Sequence, residues 1–149
     1  MGLGEICNRV VVVTTRDTRL DEAARLMREH HVGSLVVVDE TGRGRKPVGI
    51  LTDRDIVIEV VAAGVPPETV TVGEVTGAEL VTARESDEPW DTIRRMRAKG
   101  VRRVPVVTGD GILVGIITVD DLLETIAEQL DGLVKVIGHE QAREARTRK

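Results

Sequence analysis

Val48-Gly49-Ile50-Leu51-Thr52-Asp53-Arg54-Asp55-Ile56 returns 66 positions later as Val114-Gly115-Ile116-Ile117-Thr118-Val119-Asp120-Asp121-Leu122. Upstream lies a second matched pair, Val32-Gly33-Ser34-Leu35-Val36-Val37-Val38 and Val101-Arg102-Arg103-Val104-Pro105-Val106-Val107, 69 positions apart. Met27 and Met96 close the helical pattern before each copy. The two offsets differ by three residues, and the difference falls in the loop Thr41–Pro47. A repeat with this spacing decides the architecture before any single element does: the chain is two copies of a unit of about 60 residues. The copies span residues 6–64 and 72–130, joined near Gly64–Val72, with residues 131–149 following as a basic tail.

Each copy reads β-α-β-β-α. Arg9–Val13 is short and β-branched, which suits a strand. Thr18 stands where a helix cap is wanted, and Leu20, Ala23, Ala24 and Met27 follow at helical spacing. Leu35–Val38 and Val48–Leu51 are strand-like runs on either side of a glycine-rich turn. Asp53–Ala63 closes the unit as a helix with Ile56, Val57, Val60 and Val61 on one face. The second copy repeats the order with Glu79–Val81, Asp87–Lys99, Val104–Val107, Leu113–Ile117 and Val119–Leu130. A unit this small buries too little surface to stand alone, so the copies are expected to pack as a pseudo-twofold α+β pair. Gly138–Lys149 has almost no apolar content and reads as a frayed helix or a disordered tail.

Composition narrows the function. Of 149 residues, 41% are apolar, with 25 Val, one Trp (Trp90), and no Phe or Tyr, so the core is aliphatic. A net charge of −4 argues against coating a phosphate backbone, and the aromatic shortage argues against stacking bases. A lone Cys7 excludes a disulfide framework and a thiolate zinc site. No apolar run reaches the roughly 20 residues that cross a bilayer, and the start lacks a signal-peptide pattern. Met1-Gly2 resembles a myristoylation start, but Ile6 sits where Ser or Thr is wanted. A cytoplasmic protein with no membrane partner is expected. The excess of 17 Arg over 4 Lys is compatible with a thermophile or a GC-rich genome.

The repeated Gly-x-x-Thr-x-x-Asp (Gly49, Thr52, Asp55; Gly115, Thr118, Asp121) carries the chemistry. Thr ends a strand and begins a helix, so its hydroxyl and the first free N–H groups face the same way, which suits a phosphate. One turn later a carboxylate can accept from the two hydroxyls of a ribose. The same spacing also reads as a capping box with the acid at its third position, and the two roles are compatible.

Duplicated in register behind Val-rich strands and an amphipathic helix, this motif resembles a pair of CBS domains (a Bateman module) over residues 6–130. The resemblance implies adenine-nucleotide binding in two clefts between the repeats, AMP foremost with ADP or ATP as alternatives. It also implies energy sensing, regulation of another protein, and disc-like homodimers. It places Thr52 and Asp55 opposite Thr82, Ala83, Val101, Arg102 and Arg103 in one cleft. In the other, Thr118 and Asp121 face Thr14, Thr15, Val32, Gly33 and Ser34. The first cleft has two guanidinium forks suited to phosphate and is favoured; the second has none. Arg16, Arg84 and Glu85 depart from the Pro-Asp common in relatives near the turn into the strand.

Other candidates are weaker. Adjacent His30 and His31 suit a helix end, and no metal cofactor is expected. The carboxylates of Asp53-Arg54-Asp55 and Asp120-Asp121 do not share a helix face. Gly42–Lys46 lacks phosphate-loop spacing and reads as a solvated hairpin. Pro105, against Val36 in the first copy, marks a strand margin open to a ligand. With no nucleophile–base pair legible, a stand-alone binding module that dimerises through Ile56–Val61 and Leu122–Ile126 is expected rather than an enzyme. Two other readings stay open: a ligand-free dimeric scaffold, and a nucleic-acid-associated protein using Arg94, Arg95, Arg97, Arg102 and Arg103.

Overall fold

The computed structural model describes residues 1–77 and 79–148. In the first repeat, β1 (Val13–Thr14), β2 (Ser34–Thr41) and β3 (Gly44–Thr52) form a sheet in which β1 runs parallel to β2 and β2 antiparallel to β3. Helix α1 (Leu20–His30) lays Leu20, Ala23 and Met27 on it, a spacing that keeps all three on one helical face. The repeat closes with α2 (Asp53–Ile56), which widens at once into a π-turn over Val57–Val61. A connection with a short helix α3 (Val72–Val75) leads to the second repeat. There β4 (Ala83–Arg84), β5 (Arg103–Val107) and β6 (Leu113–Thr118) copy the first sheet, with α4 (Pro89–Lys99) and α5 (Val119–Thr147) as its helices. Each sheet carries a register shift at the same place, between Val37 and Val38 and between Val106 and Val107.

The two aliphatic cores are built crosswise. Leu3, in a short 3₁₀ turn before the first repeat, is fully buried among Met96, Val104, Val106, Ile117 and Leu122 of the second. Val72, at the head of the second repeat, is fully buried among Leu20, Met27, Leu35 and Leu51 of the first. These leading segments, Leu3-Gly4-Glu5-Ile6 and Val72-Gly73-Glu74-Val75, are themselves 69 positions apart and match. Each core therefore includes a side chain carried in by the leading segment of the opposite half.

Several local expectations shift. The residues of Arg9–Val13 are mostly unpaired chain, and the strand proper is Val13–Thr14; in the second copy it moves from Glu79–Val81 to Ala83–Arg84. The cap of α1 is Arg19 rather than Thr18, whose hydroxyl instead meets that of Thr15 at 3.2 Å. The Thr41–Pro47 loop is mostly strand, with Gly42 and Arg43 making the turn and Gly44 at φ +139. Of the apolar face expected on the second helix, Val60 alone is buried; Val57 and Val61 face outward. The tail is not frayed: α5 runs to Thr147, and Lys149 lies outside the described residues. His31 ends α1 in the left-handed region (φ 55), where Gly100 ends α4 (φ 67). The repeat thus uses a residue with a Cβ where glycine is unstrained.

Candidate functional site

Both repeated motifs fold as full capping boxes. Thr52 Oγ1 accepts from the Asp55 N–H at 3.1 Å, and Asp55 Oδ2 accepts from the Thr52 N–H at 2.9 Å. Thr118 and Asp121 repeat this at 3.1 and 3.0 Å. Each box uses one lone pair of the hydroxyl and one carboxylate oxygen, so the hydroxyl proton and the second oxygen stay available to a ligand. The boxes are equal; their surroundings are not.

Thr52 and Asp55 line a cleft of about 430 Å³ that also takes in Val101, Arg102 and Arg103. Of the residues expected opposite them, Thr82 and Ala83 stay outside the lining: Ala83 is in the second core, and the Thr82 carbonyl accepts from Arg95 at 2.7 Å. The remaining wall is the leading segment of the second repeat, with Val75 to Gly77 and Glu79 to Val81. Arg54 adds a third guanidinium that the motif alone did not single out. Arg103 reaches toward the first repeat: its Nη2 is 3.7 Å from where a Cβ on Gly33 would stand, and Asp53 Oδ2 is 3.2 Å from the same point.

The equivalent wall beside Thr118 and Asp121 is shut. Asn8 and Ile116 exchange both backbone hydrogen bonds at 2.9 Å, lacing the leading segment to β6. Cys7 presses so close that a Cβ on Gly115 would be 2.6 Å from its Sγ and 2.8 Å from the Asn8 carbonyl. A Cβ on Gly49, the counterpart, would meet Thr76 at an ordinary 3.5 Å. Farther along, the Val36 N–H donates to the Val12 carbonyl at 3.1 Å. Its counterpart Pro105 has no N–H to offer the Val81 carbonyl, so the wall of the open cleft lacks this tie as well.

The expected second set is accordingly scattered. Thr118 borders a shallow concavity of about 330 Å³ with Arg102, Arg103, Val119 and Asp120, a lining that includes neither Asp121 nor Thr14, Thr15, Val32, Gly33 or Ser34. Thr14 is 4% exposed, and its hydroxyl is buried without a partner among the described residues. Thr15 is exposed, and the Gly33 carbonyl accepts from the Asp53 N–H. Burial pushes the Cys7 thiol above its ordinary pKa, with Arg9 opposing the shift. The arginine cluster is dispersed: Arg94 pairs with Asp91, Arg95 with Asp87, and Arg102 reaches Asp120 only at 3.9 Å.

With two such units, a shared Thr-x-x-Asp box and crossed leading segments in place, comparison with known proteins is decisive. The CBS domain family matches residues 3–62 and again 72–128. The chain belongs to the CBS domain family. It is 36% identical over 124 residues to hypoxic response protein 1 of Mycobacterium tuberculosis, covering 83% of this chain and 84% of that protein. An uncharacterized protein of Methanopyrus kandleri is likewise 36% identical over 124 residues, and there the match spans 62% of the relative's length. Among solved structures, hypoxic response protein I with two coordinated zinc ions superposes with a TM-score of 0.72 at 34% identity, covering 83% of this chain and 98% of that one. The CBS domain pair of protein MJ0100, in complex with 5′-methylthioadenosine and S-adenosyl-L-methionine, gives 0.74 at 26% identity, covering 87% and 98%. No helix among the described residues is long and apolar enough to cross a membrane.

Proposed function

We propose that this CBS pair binds one adenine nucleotide per chain, AMP foremost, in the cleft between Thr52–Asp55 and Val101–Arg103, and works by binding rather than catalysis. The observation that carries the reading is this cleft's inventory: a capping carboxylate with an oxygen to spare, three guanidinium groups, and an open wall. In this reading Asp55 accepts from the ribose hydroxyls, and the Thr52 hydroxyl with Arg102 and Arg103 holds the phosphate. Arg54 leaves room for the longer phosphate chains of ADP or ATP. The Val81 carbonyl, freed by Pro105, accepts from the exocyclic amine of the base. An adenosyl ligand in a CBS pair of the same fold supports the chemical class.

A ligand that touches both repeats favours the arrangement in which they close on it. It alters affinity for a regulated partner to the extent that the partner distinguishes the two arrangements. Dimerisation gives that signal a second route, because the helical segments Ile56–Val61 and Leu122–Ile126 leave Val57, Ile58, Val61, Leu123 and Ile126 as exposed apolar side chains for a second copy to cover. Isothermal calorimetry with AMP, ADP, ATP, adenosine and S-adenosylmethionine, paired with melting curves, tests the reading. AMP is expected to bind more tightly than adenosine and to raise the melting temperature. No heat and no shift with any of the five would leave a ligand-free scaffold.

A further inference from the structure

Helix α5 continues well past the core it serves. Leu122 is its buried residue, and every described position from Ile126 to Arg148 is exposed. Along this arm Leu123, Ile126, Leu130, Leu133 and Ile137 follow one another at alternating steps of three and four. That is the 3.5-residue period of a seam between paired helices. Leu130 is 61% exposed, Leu133 66% and Ile137 58%. A helical arm of this length is marginal in water without tertiary support, and the interior Gly132 and Gly138 weaken it further. One chain supplies nothing to cover the seam among its described residues.

The charge pattern says what does. The first half of α5 carries Asp120, Asp121, Glu124, Glu128 and Asp131 with no basic residue. The second half carries Lys135, Arg143 and Arg146 against Glu140 and Glu144, with Arg148 just past its end. Two copies laid in the same direction set acid over acid; two laid in opposite directions set each acidic half beside a basic one. We propose that α5 pairs antiparallel with α5 of a second copy, Leu130 facing Leu133 of the partner subunit and Ile126 facing Ile137 of the partner subunit. The seam runs without a break into the apolar groove between α4 and α5, about 230 Å³ lined by Trp90, Ile93, Leu122 and Ile126. The partner's arm thus continues across the body of the first chain. The pairing is independent of nucleotide and forms with the cleft empty or filled.

The test uses the full chain with Cys7→Ser and Arg143→Cys, spin-labelled at the new thiol, with sedimentation and double electron–electron resonance read together. Antiparallel pairing centred between Leu130 and Leu133 separates the two labels by about 35 Å. Adding Leu130→Asp and Leu133→Asp, both on an exposed face, is expected to abolish that distance without lowering the melting temperature of the body. A monomer at micromolar concentration overturns the proposal, whether or not the arm is retained on a polyanion. So does a label separation below about 20 Å, which means parallel arms, or a 35 Å distance that survives the double substitution.

Discussion

The two clefts of this chain are built from the same motif, the same capping box and the same strand order, yet one is open and the other laced shut. Two positions make the difference. Asn8 pairs with Ile116, whereas its counterpart Gly77 lines the open cleft; Val36 ties down Val12, whereas Pro105 cannot tie down Val81. A duplicated fold is held by its cores, and Leu3 and Val72 show those cores to be symmetric. The shape of the clefts differs through hydrogen bonds at the margins, where the copies are free to diverge.

The largest expected effect breaks the symmetric part. Leu3→Ala, emptying a side chain from the second core, is expected to cost about 3 kcal/mol and to lower the urea midpoint accordingly. An unchanged midpoint would mean that the crossed leading segment adds nothing to the second repeat. Next comes the pair of motif glycines. Gly115→Ala drives a Cβ into Cys7 and the Asn8 carbonyl and is expected to cost about 2 kcal/mol, while Gly49→Ala, with ordinary van der Waals space, stays within about 0.5 kcal/mol. Equal melting temperatures for the two variants would erase the distinction between a shut and an open wall. Pro105→Val restores an N–H opposite the Val81 carbonyl. It is expected to weaken AMP about tenfold by drawing the wall inward and occupying the acceptor, close to 1.4 kcal/mol; calorimetry on the variant reads it directly. Smallest is Thr14→Val, which removes a buried, unpartnered hydroxyl and is expected to raise stability by about 1 kcal/mol in thermal melts.

Much of this was legible in the chain. The 66- and 69-residue offsets place both sheets, both amphipathic helices and the Thr-x-x-Asp boxes, because burial enforces apolar periodicity at those positions. The favoured cleft assembles five of its seven expected residues for the same reason: Thr52, Asp55, Val101, Arg102 and Arg103 stand at element ends that the repeat locates. The leading segments escaped, although Leu3-Gly4-Glu5 and Val72-Gly73-Glu74 repeat each other, since a pattern of three residues says nothing about which core it enters. Shortened β1 and β4 escaped because a β-branched run such as Val10–Val13 looks the same whether or not it finds a ladder partner. The closure of the second cleft rests on backbone pairing at Asn8 and steric contact at Gly115, neither of which has a signature in residue type. Pro105 is the exception, a missing donor that the sequence declares outright.

One titration tests the contrast between the clefts most directly: AMP into the full chain, into Asp55→Ala and into Asp121→Ala, followed by calorimetry. Losing a charge-assisted hydrogen bond costs about 1.5–3 kcal/mol, whereas loss of the cap alone costs about 1 kcal/mol of stability and leaves the fold intact. The expected result is one AMP per chain, an affinity roughly tenfold to hundredfold weaker in Asp55→Ala, and an affinity unchanged in Asp121→Ala. Two AMP per chain, or a loss confined to Asp121→Ala, would contradict it.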